Sequence, residues 1–113
     1  MARTKPKPPP GPDRDAWAYQ TSVINSFYVE LDKLSKKAPA SPLSDLATQR
    51  VNRAIRDAKA LMGAWDPYMA DLAEFVPAGV NPEVRDALLV VAEIRSGLER
   101  LRSSFKLGDR VYS

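Results

Sequence analysis

The sequence of 113 residues contains no histidine and no cysteine. Histidine is the commonest general base and transition-metal ligand, so its absence excludes Ser-His and Cys-His nucleophiles and histidine metal sites. The lack of cysteine excludes disulfides, thiolate nucleophiles and cysteine zinc sites. The five glycines are scattered and form no phosphate-binding loop. We therefore expect a protein that is not an enzyme, with no cofactor, no metal and no small-molecule substrate.

Long apolar runs are also missing. The longest covers residues 87–92, whereas a membrane-spanning helix needs about 20 apolar residues. The cations near the amino terminus are not followed by an apolar segment, as a secretory signal would require. These absences predict a cytoplasmic protein that does not contact a membrane.

The composition changes sharply near residue 12. Residues 1–12 hold five prolines and three cations and almost nothing apolar to bury. Such a segment is predicted to be a flexible, basic, Pro-rich tail with polyproline II character. Residues 13–113 show helical periodicity and no strand pattern, which predicts a single helical domain.

Periodicity and cap–proline pairs predict four helices. The first covers about residues 13–38 and ends before Pro39. One face of it, mostly apolar, consists of Gln20, Val23, Ile24, Phe27, Leu31 and Leu34, and Trp17 and Tyr28 widen this face on one flank. The pairs Ser41-Pro42, Asp66-Pro67 and Asn81-Pro82 mark the starts of the other three, because each joins a capping residue to a proline suited to the first turn.

The remaining helices have their own apolar faces. The face of the second helix consists of Leu43, Ala47, Val51, Ala54, Ala58, Leu61, Met62 and Trp65. The third is short, continues to Val76 and ends at Pro77 and Gly79. The face of the fourth consists of Ala87, Val91, Ile94, Leu98, Leu101 and Phe105, with Gly108 as the stop. The pattern leaves open whether residues 41–76 form one kinked helix or two. The predicted fold is all-α, a small antiparallel bundle of three long helices and one short helix.

Charge is distributed unevenly along the chain. Residues 13–113 hold 14 cations and 14 acids, so the net charge of +3 comes from the tail. Residues 33–59 nevertheless hold seven cations against two acids. Such a surface is typical of phosphate-backbone binding without sequence readout, and ordinary solvated helix faces share the pattern. The predicted nucleic-acid-binding residues are Lys33, Lys36, Lys37, Arg50, Arg53, Arg56 and Lys59.

Two apolar residues break the helical faces. Val29 lies opposite Phe27 and Leu31 on the first helix, and Leu89 lies about 200° from the apolar face of the fourth. One interpretation is that both are ordinary exposed apolar side chains, which are normal on folded proteins. The other is a second seam against another chain, and the residues of this predicted protein interface are Val29, Leu88, Leu89 and Val90.

The leading prediction is a non-catalytic helical interaction or assembly subunit. A subunit of a nucleoprotein complex is one form of this prediction. Its partner is another protein or a second copy of the chain. The first alternative is a sequence-independent nucleic-acid-binding protein that uses the basic residues and the tail. The second is an adaptor that presents its tail as a ligand, because Pro6 and Pro9 have PxxP spacing.

Overall fold

The computed structural model describes residues 12–75 and 81–107. These residues form α1 (Arg14–Lys37), α2 (Asp45–Met62), α3 (Pro67–Ala70) and α4 (Val84–Phe105). They contain no strand, only an isolated bridge between Pro42 and Glu83. The predicted all-α class is confirmed for this part of the chain.

Several predictions fall outside the described residues. These are the tail up to residue 11, the last predicted residue of the third helix, Val76, with the stops at Pro77 and Gly79, and the stop at Gly108.

The predicted start of α1 is confirmed, since Asp13 is its N-cap. One carboxylate oxygen of Asp13 accepts the N–H groups of Asp15 (2.9 Å) and Ala16 (3.1 Å). These bonds satisfy amide groups that have no partner inside the helix. The last turn holds Lys36 and Lys37, whose charges suit the negative end of the helix dipole.

The predicted start of α2 at Ser41-Pro42 is wrong, because the N-cap is Ser44, whose hydroxyl accepts the N–H of Ala47 (3.1 Å). The preceding segment instead pairs with the residues that lead into α4. The N–H of Leu43 donates to the carbonyl of Pro82 (2.8 Å) and the N–H of Val84 to the carbonyl of Ser41 (2.9 Å). This pairing satisfies the backbone outside any helix and delays the start of α2.

The third helix is shorter than predicted. Asp66 caps it as expected, but it ends after one turn at Ala70. The following segment is held by Asn52 of α2, whose Nδ2 donates to the carbonyl of Phe75 (2.8 Å) and whose Oδ1 accepts its N–H (2.7 Å). The Asn52 side chain thus takes the place of the backbone partners that the N–H and carbonyl of Phe75 would have in a helix. The segment from residue 41 to residue 75 therefore contains two helices, α2 and α3, separated by a turn. Residues 71–75 are not helical.

The long helices α1 and α4 run in opposite directions. Near the start of α1, Trp17 donates from Nε1 to the carbonyl of Leu98 in the second half of α4 (3.0 Å). Beyond the end of α1, the carbonyl of Pro39 accepts the N–H of Arg85 at the start of α4 (3.0 Å). The short connections of the chain favour this antiparallel order.

The core is built around α4, which packs against all three other helices. Its buried apolar residues are Val84, Ala87, Val91, Ile94, Leu98 and Leu101. Those of α2 are Val51, Ile55, Ala58, Leu61 and Met62. On the predicted apolar faces of the second and fourth helices, Trp65 and Phe105 are more exposed than predicted. They lie at the edge of the core and contact each other edge to face, with 5.7 Å between ring centres. Each fully buried aliphatic side chain contributes about 1.5–3 kcal/mol.

The carboxyl-terminal end of α4 is strained at Lys106, whose φ of 54° places it in the left-handed region. The N–H of Leu107 closes the helix by donating to the carbonyl of Arg102 (3.0 Å), and Leu107 is buried. A side chain in this conformation crowds the following carbonyl, at a cost of about 1 kcal/mol.

Replacement of Lys106 by glycine (Lys106→Gly) is therefore expected to raise the free energy of unfolding by about 0.5–1 kcal/mol, because glycine adopts the left-handed conformation without steric cost. Chemical denaturation would measure the change. Lys106→Ala is the matched control, since it removes the charge and keeps the Cβ atom. A gain of equal size in the control would contradict the explanation.

Candidate functional site

Of three concave surfaces formed by the described residues, the largest is a trough of about 700 Å³ between α1 and α2, here called the α1–α2 groove. Its apolar lining comes mainly from α1 on one side and from the start of α2 on the other. These apolar residues are Tyr19, Val23, Phe27, Leu31, Leu34, Leu43, Leu46, Ala47 and Ala54. Four of them, Tyr19, Val23, Leu34 and Leu46, are exposed large side chains. The groove is thus an open apolar surface.

The groove exists because α1 turns a different face to the core than the sequence predicts. Ile24 and Leu31 are buried, as expected. Val23 and Leu34, predicted on the same core face, are 40% and 47% exposed. The helix is rotated toward α4 and α2, which leaves one edge of its wide apolar face uncovered. Gln20 helps to set this rotation, because its Nε2 donates to the carbonyl of Asp57 in α2 (3.0 Å).

The rims of the groove carry both signs of charge. Glu30 lies on α1, whereas Arg50, Arg53 and Asp57 lie on α2. Arg53 and Asp57 form a loose ion pair (3.8 Å) one helical turn apart. Neither Glu30 nor Arg50 forms an ion pair among the residues that the structure describes. Two acids and two cations therefore face solvent around an apolar floor.

A second cleft, of about 400 Å³, lies between α3 and α4. It contains Leu89, which is 61% exposed, and Tyr68, which is 75% exposed. The guanidinium of Arg100 lies 5.7 Å from the ring centre of Tyr68 and also pairs with Asp66. Its lining residues are Tyr68, Met69, Leu89, Ala92, Glu93, Ser96 and Arg100.

The four residues predicted as a protein interface do not line one cleft. Leu89 lies in the cleft between α3 and α4, whereas Leu88 and Val90 are half-buried and pack against the core. Val29 is exposed on α1, a different helix. The exposed residues Tyr19, Leu46 and Tyr68 were not identified as surface residues from the sequence. Tyr19 and Leu46 lie off the predicted apolar faces of their helices, the same signal that identified Val29 and Leu89.

Three of the seven predicted nucleic-acid-binding cations form ion pairs with acidic side chains of the same chain. Lys36 pairs with Asp32 (3.3 Å), and Arg56 pairs with Glu74 in the segment after α3. Arg53 pairs with Asp57 in the groove rim. All seven side chains belong to exposed residues. Those without an ion pair among the described residues are Lys33, Lys37, Arg50 and Lys59.

A third cleft, of about 380 Å³ between α1 and α4, is lined by both polar and apolar side chains. Arg95 donates to Oδ1 of Asn25 across it (3.1 Å), and the hydroxyl of Thr21 is buried there with no partner among the described residues. At its rim the hydrogen bond from Arg102 lowers the pKa of Glu99. Most of its polar groups are thus engaged within the chain. Nowhere in residues 12–75 and 81–107 do three or more acidic side chains form a metal-binding group.

No protein-family model, curated protein or solved structure matches the chain significantly. None of the helices in the described part of the chain is long and apolar enough to cross a bilayer. The surfaces described above are therefore the features of the molecule that bear on its function. The α1–α2 groove is the largest of them and has the largest apolar surface.

Proposed function

We propose that this chain is a non-catalytic interaction subunit, an antiparallel helical bundle that assembles with protein through the α1–α2 groove. The observation that carries the proposal is the group of four large apolar side chains, Tyr19, Val23, Leu34 and Leu46, exposed around one trough. Contiguous apolar patches with polar rims are characteristic of protein interaction sites. Covering them removes apolar surface from water at about 25 cal/mol per Å².

A protein partner fits the groove better than a small molecule. The trough is long and open and is lined along most of α1 and the first half of α2. Pockets for small ligands instead enclose most of the ligand surface. An amphipathic helix laid into a groove matches an open trough with apolar residues at helical spacing.

Photocrosslinking in cells of the native host would test the proposal. A benzoylphenylalanine introduced at Tyr19 or at Leu46 in the full chain is expected to give covalent protein adducts above the mass of the monomer. Ser103, an exposed polar position on α4, is the control site. Adducts at the groove positions no more abundant than those at Ser103 would refute the proposal.

Binding to a nucleic-acid backbone is a second proposal. It is supported by four exposed cations that have no acidic partner among the described residues, Lys33, Lys37, Arg50 and Lys59. Cations of this kind release counterions from phosphates, which gives affinity without sequence readout.

The double variant Lys33→Glu with Lys37→Glu, which changes two of these cations one turn apart on α1, is expected to weaken binding of a labelled duplex oligonucleotide about tenfold or more and to reduce the salt dependence. Fluorescence anisotropy at several salt concentrations would measure both effects. Arg14→Glu with Arg85→Glu changes the net charge equally at positions outside the seven cations. An equal loss in this control would show that only overall charge matters.

The adaptor function and the cytoplasmic location stay predictions. The adaptor function depends on residues 1–12, of which the structure describes only Pro12.

A further inference from the structure

We infer, building on the proposed function, that the occupant of the α1–α2 groove is the same face of a second copy of this chain. The two copies would form a dimer with two-fold symmetry, in which α1 of each copy lies along the groove of the other. In such an interface the same surface patch serves both partners, so it must be complementary to itself. Two independent features of the groove meet this requirement.

The first feature is a second apolar seam on α1. At about 100° per residue, the exposed residues Tyr19, Val23 and Leu34 fall within an arc of about 60°. This seam lies beside the core-facing residues Ile24 and Leu31 and is distinct from them. Such a helix forms one wall of the groove in its own chain. Its exposed seam is also a ridge that can pack into the same groove of a second chain.

The residues between the large side chains are small. Ser22 and Ser26 lie on the α1 side of the groove, and Ala47 and Ala54 lie on the α2 side. Small side chains let helix axes approach closely, so that neighbouring large side chains can interdigitate. The occupant that this shape favours is a helix bearing large apolar residues one turn apart, which α1 of a second copy provides.

The second feature is the charge of the rims. Glu30 lies on the α1 rim of the trough, whereas Arg50, Arg53 and Asp57 lie on the α2 rim. A two-fold axis brings this set of charges against a copy of itself. A rim of one sign would repel its copy, whereas two acids and two cations allow each acid to approach a cation of the partner. Glu30 and Arg50 also have no ion pair among the described residues of their own chain.

Rim-charge variants of the full chain test the dimer without assuming its register. Glu30→Arg with Asp57→Arg makes the rim wholly basic, and Arg50→Glu with Arg53→Glu makes it wholly acidic. The wild type is expected to sediment as a dimer at equilibrium, and each variant alone to dissociate with a Kd raised about tenfold or more by like-charge repulsion. An equimolar mixture of the two variants is expected to recover a one-to-one dimer.

Matched controls keep the test decisive. Circular dichroism and thermal unfolding of each variant would verify folding, which should persist because none of the four changed side chains belongs to a buried residue. Leu89→Glu, a charge introduced at an exposed apolar residue outside the groove, is expected to leave the Kd unchanged within about threefold, since distant sites act independently.

A wild type that stays monomeric at every concentration would overturn the inference. So would a dimer that both rim variants leave intact, or one that Leu89→Glu alone dissociates, since the contact would then lie elsewhere. Photocrosslinking separates this failure from failure of the proposed function. If Tyr19 and Leu46 crosslink to a different protein, the second copy is excluded while an interaction subunit remains supported.

Discussion

Replacement of Gly97 by valine (Gly97→Val) is expected to lower the free energy of unfolding by about 3 kcal/mol, the upper part of the range for overpacked cores. Gly97 is buried on α4 directly against Met69 of α3. A Cβ atom at this position would lie 2.6 Å from the Sδ atom and 3.0 Å from the Cγ atom of Met69. Met69 is itself almost fully buried, so it has little room to move.

The sign of this effect separates packing from helix propensity. Valine has a higher helix propensity than glycine, so a loss of stability can only come from packing. Urea denaturation would measure it, with the exposed Ser96→Val on the same helix as a control expected to change stability by less than about 0.5 kcal/mol.

A double-mutant cycle with Met69 tests the contact directly. Met69→Ala alone is expected to cost about 2–5 kcal/mol, because it leaves a cavity beneath α3. In the double variant the valine methyl groups occupy part of that cavity and no longer collide with sulfur. The sum of the stability losses of the two single variants should therefore exceed the loss measured for the double variant by about 1–3 kcal/mol. Simple additivity would show that the two side chains do not share the site.

The second large effect is expected at Asp66, a 9% exposed carboxylate at the turn between α2 and α3. Its Oδ1 atom accepts the N–H groups of Tyr68 (3.0 Å) and Met69 (3.4 Å). Its Oδ2 atom accepts Nε (3.0 Å) and Nη2 (2.8 Å) of Arg100 on α4. One side chain therefore caps α3 and also attaches it to α4.

Asp66→Ala is expected to lower the free energy of unfolding by about 2–3 kcal/mol, the sum of a lost cap and a lost charge-assisted pair. The pair contributes less than a fully buried one would, because the Arg100 side chain is 49% exposed and partly screened by solvent. Asp66→Asn should fall between the wild type and Asp66→Ala, since its amide oxygen can still cap the helix.

Asp71→Ala provides the matched control for Asp66, because Asp71 is an exposed acid in the same short segment. Its replacement should change stability by less than about 0.5 kcal/mol. Urea denaturation monitored by circular dichroism would compare the three variants. If Asp66→Ala unfolded at the same urea concentration as Asp71→Ala, the capping and pairing role of Asp66 would be refuted.

Two of the four helix starts could be read from local chemistry. Asp13 and Asp66 lie at the predicted starts of α1 and α3 and cap them, because capping requires only a short polar side chain and the next three amides. Ser41-Pro42 and Asn81-Pro82 have the same local pattern, yet α2 and α4 begin later, with Ser44 and Glu83 as N-caps. The backbone around Ser41 instead pairs with that of Pro82 and Val84, about 40 residues away in the sequence. A local rule cannot detect a competing partner at that distance.

The candidate site shows the same limit. Periodicity placed Val23 and Leu34 on an apolar face of α1, but it could not tell which part of that face is covered. The hydrogen bonds of Trp17 to α4 and of Gln20 to α2 accompany the observed rotation of the helix. Those partners lie 81 and 37 residues away, so the open groove could not be predicted.

The sequence by itself determined the all-α class, the apolar face of α4 and the starts of α1 and α3, because these depend on side-chain spacing and on atoms a few residues apart. The tertiary structure alone decided where α2 begins, that α3 stops after one turn, and which edge of α1 stays exposed. Each of these depends on a distant partner: the segment before α4 for α2, Asn52 for the residues after α3, and the rotation of α1 against its neighbours for the groove.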